Sequence, residues 1–391
     1  MRKTDLRGLQ HALTLIALTL ACLFLLLPSL VLAEGAGPAE LTGDFKSAIV
    51  IDAETGLVLA ASSPDERRQP ASMLKMMTEL IVLERVAKGD LTMDEMVRIS
   101  AHASKMGGSQ VYLKHNTEFS VEDLLRALAI HSANDAAVAL AEHTAGSVEA
   151  FVDLMNMKAQ ELGMNGTHFQ SVHGLPPGWK QEPDLTTARD MAILGQHLVK
   201  YPEALEWSAT ATAPFENGTF TTLYNPNKLI GKFRGLDGLK TGYTGPAGFC
   251  VTATAVQMGK RLISVVMGCS SDNARATETT RLLSYGFNAF KQVAVFPEAG
   301  ALLDSEIKVK GGKKKTVPVA IGESLTISVP KEREADLVFE NRLPEQLEAP
   351  LVEGAEVGQA VVMLDGRELG RVPLIVPEAV EKGNWWNRLM N

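Results

Sequence analysis

The apolar residues of the first 290 positions follow two patterns, helical stripes and short β-like runs. In the stripes they recur every three or four residues, and each stretch is bounded by a capping residue, glycine or proline. Residues 97–119 follow neither pattern, and their Gly107-Gly108-Ser109 triplet is typical of a loop. The spacing predicts helices over residues 72–86, 120–131, 136–145, 150–162, 187–201 and 277–291.

The β-like runs lie on both sides of the helical region. Residues 45–51 and 57–61 are predicted to pair around the turn Glu54-Thr55-Gly56. Strands return near Leu236, and a hairpin is expected after it. Because both ends of this region supply strands to one sheet, we predict an α+β fold, with a largely antiparallel sheet flanked by helices and a helical insert.

The composition changes near residues 293–297, where the helical spacing ends. The stretch 293–378 alternates β-branched runs, such as 325–329 and 360–364, with glycine and proline turns, which is typical of a small all-β domain. Its basic run 308–315 is predicted to be the solvated tip of a hairpin, with contact to an anionic polymer or lipid as the alternative.

Residues 1–33 have the pattern of a secretory signal peptide. Arg2, Lys3 and Arg7 precede a long apolar run that ends in the small residue Ala33. A retained transmembrane anchor is the alternative, because the run is long enough to span a bilayer. Pro28 and the small residue at the end favour cleavage after position 33.

The last residues, 379–391, carry two tryptophans among other apolar side chains. On a helix, Trp385, Trp386, Leu389 and Met390 share one face, which suits a membrane interface. We predict a membrane-anchoring tail, with docking on the protein itself as the alternative. Signal and tail together predict a periplasmic protein, peripheral on the outer face of the inner membrane.

Charge and cysteine content exclude two other classes of function. The formal net charge of −8 argues against nucleic acid as a partner. Beyond the leader, Cys250 and Cys269 lie in the β-like runs 249–256 and 262–269. A turn centred on Gly259-Lys260 would place them directly opposite each other, where a disulfide can form in an oxidising compartment. Such bridges tend to be strained, so we favour two packed free thiols and expect no thiol catalyst.

Three short motifs carry the candidate chemistry. Ser72 lies three residues before Lys75 at the start of a predicted helix, so the amine can take the proton of the hydroxyl. This pair alone is weak evidence in a chain of this length. Its value comes from Ser132-Ala133-Asn134 and Lys240-Thr241-Gly242, which follow in that order.

Acyl transfer from a peptide needs a nucleophile, a base, a proton path and an oxyanion site. Ser72 is the candidate nucleophile and Lys75 the base, since burial and a second cation, Lys240, would lower the pKa of Lys75. Ser132 can relay a proton to the leaving nitrogen. Asn134 can hold Lys75 in place or bind a substrate amide.

The strand that contains the third motif supplies binding groups. Lys240 and Thr241 suit a terminal carboxylate, one as a charge and the other as a donor. Gly242 lets a substrate backbone approach the strand edge, where an extended peptide can pair. The backbone amides of Ser72 and Tyr243 are candidate oxyanion donors. The motifs together predict a serine acyl-transfer enzyme that acts outside the cytoplasm.

Each motif has a structural alternative. Ser72 can be a helix cap and Lys75 a surface lysine, while 132–134 and 240–242 can be a cap and a strand entry. The three motifs in this order make all these alternatives together improbable. Ser271-Asp272-Asn273 also matches a variant of the middle motif, but it follows the strand motif, so we interpret it as a turn.

In longer stretches around these motifs the chain resembles the D-alanyl-D-alanine carboxypeptidases, the low-molecular-mass penicillin-binding proteins. The likeness covers roughly residues 40–380. Ala133 departs mildly from it, since relatives often have glycine there. The matching segments are 70–78, 132–137, His173-Gly174-Leu175, 187–192 and 240–244.

The resemblance implies a penicilloyl-serine-transferase (β-lactamase-like) fold over residues 34–292, followed by the small β domain. It implies removal of the terminal D-alanine from peptidoglycan pentapeptide stems through an acyl-enzyme at Ser72, and acylation of the same serine by β-lactam antibiotics. It requires no metal and no other cofactor. Arg275, in a position like the family's basic residue near the carboxylate site, is expected to bind substrate.

Three other functions are the alternatives. A class A-like β-lactamase shares these motifs but needs a glutamate for deacylation, and the candidate, Glu182, lies in a proline-rich loop. An endopeptidase of the same family would cut D-alanyl cross-links instead. The third is an inactive wall-binding protein, against which the intact set of Ser72, Lys75 and Lys240 weighs.

Overall fold

The structure is a computed structural model that describes residues 39–178, 180–218 and 220–383. The predicted signal peptide, and the tryptophans of the predicted tail, lie outside the described residues. Within the described ranges, no helix is both long and apolar enough to cross a membrane.

The α-helices of the described residues are α1 (Lys75–Lys88), α2 (Val121–His131), α3 (Asn134–Ala145), α4 (Val148–Glu161), α5 (Ala188–Leu198), α6 (Pro202–Ala209) and α7 (Asp272–Ala289). The strands up to the last helix are β1 (Ala39–Glu40), β2 (Ser47–Asp52), β3 (Val58–Ser62), β4 (Met96–Arg98), β5 (Glu118–Ser120), β6 (Thr212–Pro214), β7 (Thr222–Tyr224), β8 (Leu236–Thr244), β9 (Gly248–Gln257) and β10 (Lys260–Cys269). The strands after it are β11 (Phe290–Phe296), β12 (Leu302–Lys310), β13 (Thr316–Ile321), β14 (Leu325–Pro330), β15 (Val338–Arg342), β16 (Gln346–Glu348), β17 (Glu356–Leu364) and β18 (Arg367–Ile375).

A six-stranded sheet organises the first part of the chain, in the order β1-β3-β2-β10-β9-β8. Only the short β1 pairs in parallel; the other neighbours are antiparallel. One core cluster joins the sheet to α1–α6 and a second joins its other face to α7. The predicted α+β fold with a helical insert is confirmed.

Local sequence signals determine where α2 begins and ends, and α3 follows it at the site. Ser120 begins α2 as a capping residue, and its side chain accepts a hydrogen bond from the Asp123 amide at 3.0 Å. Ser132 ends α2 in the left-handed conformation, with φ of +66°, and α3 starts two residues later. The predicted break between two helices at this triplet is therefore confirmed.

The hairpin of β9 and β10 differs from the prediction by one residue. Its turn is centred on Met258 and Gly259, both with positive φ, and Gln257 pairs with Lys260. A register shift after Val266 then places Cys269 opposite Phe249 instead of Cys250. Both thiols are buried and free, so the predicted free thiols are confirmed and their direct opposition is wrong.

Helix α7 begins five residues earlier than predicted. The Ser271 side chain accepts a hydrogen bond from the Ala274 amide at 3.1 Å and caps the helix. The triplet Ser271-Asp272-Asn273, interpreted above as a turn, is therefore a helix start. As a consequence, Arg275 lies on the first turn of α7 and not in a connecting loop.

The second part of the chain is all-β from Phe290 onward. It contains a six-stranded sheet, in the order β15-β17-β18-β13-β12-β16, and the pair β11-β14. The predicted basic hairpin tip lies between β12 and β13. Two of its lysines, Lys313 and Lys314, form ion pairs with Glu381 and Glu378, so the segment after β18 lies along this tip.

A buried polar contact joins the all-β part to the main sheet. The Asp52 carboxylate, at the end of β2, accepts hydrogen bonds from Ser328 Oγ and from Gln292 Nε2, the latter at 3.2 Å. Arg367 also donates to the Val58 carbonyl at 3.3 Å. Apolar residues of β14, β17 and β18 belong to the same core cluster as the outer face of the main sheet.

Candidate active site

A cleft of about 550 Å³ lies beside the edge strand β8. It brings together six residues predicted from the sequence, and the remaining three, Lys75, Asn134 and Lys240, are buried next to it at 0 to 2 % exposure. The predicted residues that line the cleft are Ser72, Ser132, Thr241, Gly242, Tyr243 and Arg275.

Ser72 and Lys75 are in direct contact. Ser72 lies on a 3₁₀ turn, Ala71–Leu74, that leads into α1, and Lys75 is the first residue of that helix. The Lys75 Nζ atom is 2.9 Å from Ser72 Oγ and donates a second hydrogen bond to the His173 carbonyl at 2.9 Å. The predicted pairing of hydroxyl and amine is thus present in the structure.

The environment of Lys75 favours its neutral form. Burial lowers its pKa well below the ordinary value, and the charge of Lys240 lowers it further, while Asp135 and Asp184 act in the opposite direction. A lysine with a depressed pKa carries a free lone pair near neutral pH. Lys75 can therefore accept the proton of the hydroxyl that it contacts.

The loop that holds Lys75 depends on a glycine. Gly174 has φ of +75°, and a Cβ atom built there would lie 2.2 Å from the Ala71 carbonyl oxygen. Only glycine allows this approach, which brings the carbonyl of the preceding residue, His173, to Lys75 Nζ. The segment His173-Gly174-Leu175 is part of the family resemblance, but no role in the site was predicted for it.

Asn134 does not hold Lys75, contrary to one of its two predicted roles. Its Nδ2 donates to the Gly107 carbonyl at 2.7 Å, and its buried Oδ1 has no hydrogen-bond partner. The His173 carbonyl occupies the place of that predicted contact. The free Oδ1 agrees with the other predicted role, acceptance of a hydrogen bond from a substrate amide.

A buried aspartate, which the sequence analysis missed, fastens the loop around Ser132. Asp135 accepts hydrogen bonds from the Val111 and Leu113 amides at 3.1 and 3.0 Å. Ser109 adds a bond to the His131 carbonyl at 2.8 Å. The loop over residues 107–113 is therefore bound to the connection between α2 and α3 through several contacts. Only the glycines in this loop gave a sequence signal.

Gly242 is required for a reason that differs from the predicted one. A Cβ atom there would lie 2.6 Å from the Pro70 carbonyl oxygen and 3.1 Å from the Ser72 amide nitrogen. The glycine thus lets the turn that carries Ser72 lie directly against β8, and it brings the amide of Ser72 next to the strand that continues to Tyr243. Approach of the protein's own backbone, and not only of a substrate, demands glycine here.

Lys240 is buried beside this contact, with 2 % of its surface exposed. Its Nζ donates to the Thr241 carbonyl at 3.3 Å. Burial lowers its pKa to about 7, Glu79 opposes this shift and Arg275 adds to it. The side chain of Lys240 therefore loses its proton, and with it its positive charge, as the pH rises above neutrality.

Arg275 lines the cleft as part of an ionic cluster. Its guanidinium pairs with Asp272, donates to the Cys250 carbonyl at 3.2 Å and lies 5.8 Å from the centre of the Phe249 ring. Lys228 forms an ion pair with the other oxygen of Asp272. Two cations thus share one carboxylate, which leaves net positive charge for a substrate carboxylate.

The walls of the cleft include aromatic side chains, and of these residues only Tyr243 was predicted to lie in the site, for its backbone amide. Tyr243 stacks on Phe249 with ring centres 4.2 Å apart and remains 57 % exposed. Across the cleft, His131 Nδ1 accepts a hydrogen bond from the Tyr224 amide at 3.2 Å. Glu182, the glutamate considered for a β-lactamase, lines a separate cavity and not the cleft that contains Ser72.

The fold and the site define a class of protein. A largely antiparallel sheet with a helical insert lies beside a helix start at which a serine contacts a buried lysine of lowered pKa. The edge strand of the sheet adds a second buried lysine. These features are those of a serine acyl-transferase of the penicilloyl-serine type.

Comparison with known proteins agrees with this class. Residues 35–271 match the family model of D-alanyl-D-alanine carboxypeptidases, and residues 290–382 match that of the penicillin-binding protein 5 C-terminal domain. The chain is 36 % identical over 355 residues to the D-alanyl-D-alanine carboxypeptidase DacF of Bacillus subtilis, covering 90 % of each chain. The chain therefore belongs to the D-alanyl-D-alanine carboxypeptidase family and is a serine-type hydrolase.

Solved structures show the same relationship. Penicillin-binding protein 5 from Haemophilus influenzae superposes with a TM-score of 0.78 at 34 % identity, covering 88 % of this chain and 99 % of that one. Penicillin-binding protein D2 from Listeria monocytogenes, solved with ampicillin bound, has a TM-score of 0.58 at 33 % identity and covers 63 % of this chain and 99 % of its own. The penicilloyl-serine-transferase fold followed by an all-β domain is therefore confirmed.

Proposed function

We propose that this protein is a serine-type D-alanyl-D-alanine carboxypeptidase that removes the terminal D-alanine from peptidoglycan pentapeptide stems. The observation that carries the proposal is the 2.9 Å contact between Lys75 Nζ and Ser72 Oγ at the floor of the cleft. Membership of the family, and curated relatives with this name over most of the chain, support the same activity.

In the acylation step, Ser72 is the nucleophile. Lys75, uncharged, accepts the hydroxyl proton as Oγ bonds to the carbonyl carbon of the penultimate D-alanine. The amides of Ser72 and Tyr243 receive the negative charge that develops on the carbonyl oxygen. As the peptide bond breaks, Ser132 relays a proton to the nitrogen of the terminal D-alanine, which leaves.

In the deacylation step, a water molecule attacks the ester that joins the stem peptide to Ser72. Its proton passes to Lys75, the ester bond to Oγ breaks, and Lys75 returns that proton to Oγ. The products are the shortened stem and the free enzyme. Lys75 thereby returns to its neutral form and is ready for the next substrate.

Binding of the substrate involves both sides of the cleft. Lys240, Thr241 and Arg275 bind the terminal carboxylate, the two cations by charge and the threonine as a donor. Asn134 Oδ1 accepts a hydrogen bond from a stem amide, and the edge of β8 pairs with the extended peptide. β-Lactam antibiotics carry a carboxylate in a similar position and acylate the same serine.

The place of action and the division into domains are part of this proposal. We assign residues 34–292 to the catalytic domain and 293–378 to the small β domain. After removal of residues 1–33 the enzyme is periplasmic, and residues 379–391 bind it to the outer face of the inner membrane. Family relatives are penicillin-binding proteins of the cell wall, which supports extracytoplasmic action.

The proposal is tested by replacing Ser72 with alanine. We expect Ser72→Ala to abolish both labelling by a fluorescent penicillin and release of D-alanine from a pentapeptide, with an unchanged melting temperature. Ser104→Ala is the matched control, because Ser104 is only half-buried and its hydroxyl donates to the Ala101 carbonyl of its own turn. Release of D-alanine at the normal rate by Ser72→Ala would refute the mechanism.

A second measurement separates this activity from the alternatives. Wild-type protein is incubated with a pentapeptide, a cross-linked stem dimer and a penicillin, and the products are identified by mass. Loss of a single D-alanine from the pentapeptide is the expected main product. Preferential cleavage of the dimer would make the protein an endopeptidase, and complete hydrolysis of the penicillin would make it a β-lactamase.

A further inference from the structure

One buried acid near the site has no part in the mechanism above. Asp184, on the segment before α5, is 7 % exposed. Its carboxylate accepts hydrogen bonds from the Gln170 amide at 2.7 Å, from the Ser171 amide at 2.9 Å and from the Ser171 hydroxyl at 2.7 Å. Burial of a charged group costs free energy even where hydrogen bonds hold it. A carboxylate in this place therefore calls for an explanation.

The hydroxyl that Asp184 holds is bonded in turn to the peptide unit that supports Lys75. Ser171 Oγ accepts a hydrogen bond from the Gly174 amide at 2.9 Å. The carbonyl of the same peptide unit is that of His173, and it accepts from Lys75 Nζ at 2.9 Å. Because a peptide unit is planar, with its N–H and C=O groups pointing in opposite directions, the bond at the N–H end sets the direction of the carbonyl.

The segment 184–186, which carries the acid, is bound to the chain on both sides. Leu185 exchanges two backbone hydrogen bonds with His168, at 2.8 and 2.9 Å. Thr186 exchanges two more with Arg68, at 2.7 and 2.9 Å. Position 68 lies four residues before the nucleophile. The segment therefore gives the carboxylate a fixed position relative to the chain that leads into the site.

The charge of Asp184 does not explain its place beside the base. The pKa of Lys75 is lowered by burial and by the charge of Lys240. The carboxylates of Asp135 and Asp184 oppose this fall and so favour the ammonium form. An ammonium cannot accept the proton of a hydroxyl, so this charge acts against the base. What the site gains from Asp184 is therefore its hydrogen bonds.

We propose that Asp184 is a positioning residue that, through Ser171, sets the direction of the His173 carbonyl. That carbonyl keeps the Nζ atom of Lys75 against Ser72 Oγ, where the amine can take the proton. This inference rests on the proposed carboxypeptidase function and extends it to a residue that touches no substrate atom.

The first test is Ser171→Ala, which cuts the link and leaves the charge of Asp184 in place. At saturating fluorescent penicillin, we expect acylation to slow by between about tenfold and about a hundredfold, the loss that displacement of a reacting group by up to 1 Å can cause. The apparent dissociation constant should stay nearly unchanged, because the groups that bind the carboxylate are untouched. Ser147→Ala is the matched control, since it loses a similar bond, to the Ala150 amide at the start of α4.

Two variants of the acid separate its hydrogen bonds from its charge. Asp184→Ala removes both and should slow acylation as much as Ser171→Ala does. Asp184→Asn keeps an oxygen for the two amides and can donate to Ser171 Oγ, which has a second lone pair for the Gly174 amide. Its acylation rate should therefore stay close to that of wild type.

Asp52→Ala shows what loss of a buried aspartate does to the fold alone. Asp52 likewise accepts two neighbouring amides, those of Glu54 and Thr55, at 3.0 and 3.1 Å, but it does so in the turn after β2. We expect a lower melting temperature and a normal acylation rate below it. Asp52→Ala that slowed acylation as much as Asp184→Ala would reduce the effect to general loss of structure and overturn the inference.

The pH profile of acylation adds a measurement that a purely structural role would not change. Removal of the charge in Asp184→Asn lowers the pKa of Lys75, so the acid limb should move to lower pH while the plateau stays high. Ser171→Ala should show the reverse, a low plateau with the limb in place. A plateau for Asp184→Asn as low as that of Asp184→Ala, or normal plateaus for Ser171→Ala and Asp184→Ala, would overturn the inference.

Failure of the inference can be told apart from failure of the proposed function. Wild-type protein that is neither labelled by penicillin nor able to release D-alanine from a pentapeptide would overturn both. Wild-type protein that does both, with Ser171→Ala and Asp184→Ala variants equal to it, would overturn only the role of Asp184.

Discussion

Two sets of cations at the cleft, Lys75 and the pair of Arg275 with Lys228, differ in their counter-ions. Lys75 is fully buried, forms no ion pair within the described residues, and donates to Ser72 and to a backbone carbonyl. Arg275 and Lys228, by contrast, both pair with Asp272, and Lys228 is more than half exposed. Lys75 thus lacks a carboxylate partner within the described residues, whereas Arg275 and Lys228 share the carboxylate of Asp272.

This difference distinguishes the group that takes part in the chemical step, Lys75, from the group that binds substrate, Arg275. An amine without a counter-ion in a dry site gives up its proton easily and becomes a base. A guanidinium keeps its charge in almost any environment, although burial lowers the pKa of Arg275 from its ordinary value. We therefore expect changes at Lys75 to alter kcat and changes at Arg275 to alter KM.

The largest effect is expected from Lys75→Met, which removes the base but keeps most of the buried volume. Acylation of Ser72 by labelled penicillin should slow by about a thousandfold, which is within the range for loss of a general base. Lys114→Met, at an exposed lysine, is the control and should acylate normally. Acylation of Lys75→Met within tenfold of wild type would show that another group takes the proton.

A smaller loss is expected when the support of Lys75 is displaced. The Cβ of Gly174→Ala would collide with the Ala71 carbonyl, so the His173 carbonyl should move away from Nζ. A shift of about 1 Å can cost about a hundredfold in rate. Gly163→Ala is a matched control, because Gly163 also has positive φ but open space around it. Equal acylation rates for the two variants would exclude the role of the collision.

Among the paired cations, Arg275→Gln should raise KM for pentapeptide about tenfold and change kcat by less than about twofold. Loss of one hydrogen-bonded charge from carboxylate binding is of this size. Arg281→Gln, on the same helix but paired with Glu278, serves as the control. A fall in kcat equal to the rise in KM would mean that Arg275 also positions the scissile bond.

The smallest effect should come from salt. Raising the ionic strength to about 0.5 M shortens the range of charge interactions, which weakens attraction of a carboxylate to the partly exposed cluster of Arg275 and Lys228. KM should rise a few-fold, and kcat should stay constant because Lys75 and its partners are buried. Steady-state release of D-alanine at several salt concentrations measures both. A salt-dependent kcat would contradict the separation.

The sequence predicted those parts of the site that depend on neighbouring residues. The contact of Ser72 with Lys75 follows from helical spacing, and the break at Ser132 follows from a cap and an interrupted apolar stripe. The α+β arrangement followed from the positions of the strand runs. Helix α6 was missed, although Pro202 and Glu203 at its start are typical of a helix beginning.

Contacts between distant segments could not be predicted. The acceptor for Lys75 is a backbone carbonyl 98 residues away, and no side-chain pattern marks it. In the sequence, Glu79 is one polar residue among others of an amphipathic helix. Only the packing of the folded chain shows that it is buried. The early start of α7 was predictable from the capping residue Ser271, whose triplet was interpreted as a turn instead.

The two thiols, buried and unbonded, have a practical consequence. Since neither Cys250 nor Cys269 takes part in a bridge, the described fold owes nothing to an oxidant or to a disulfide isomerase. The polypeptide should reach the same structure in the reducing interior of an expression host, and dithiothreitol in the assay buffer should leave its activity unaltered.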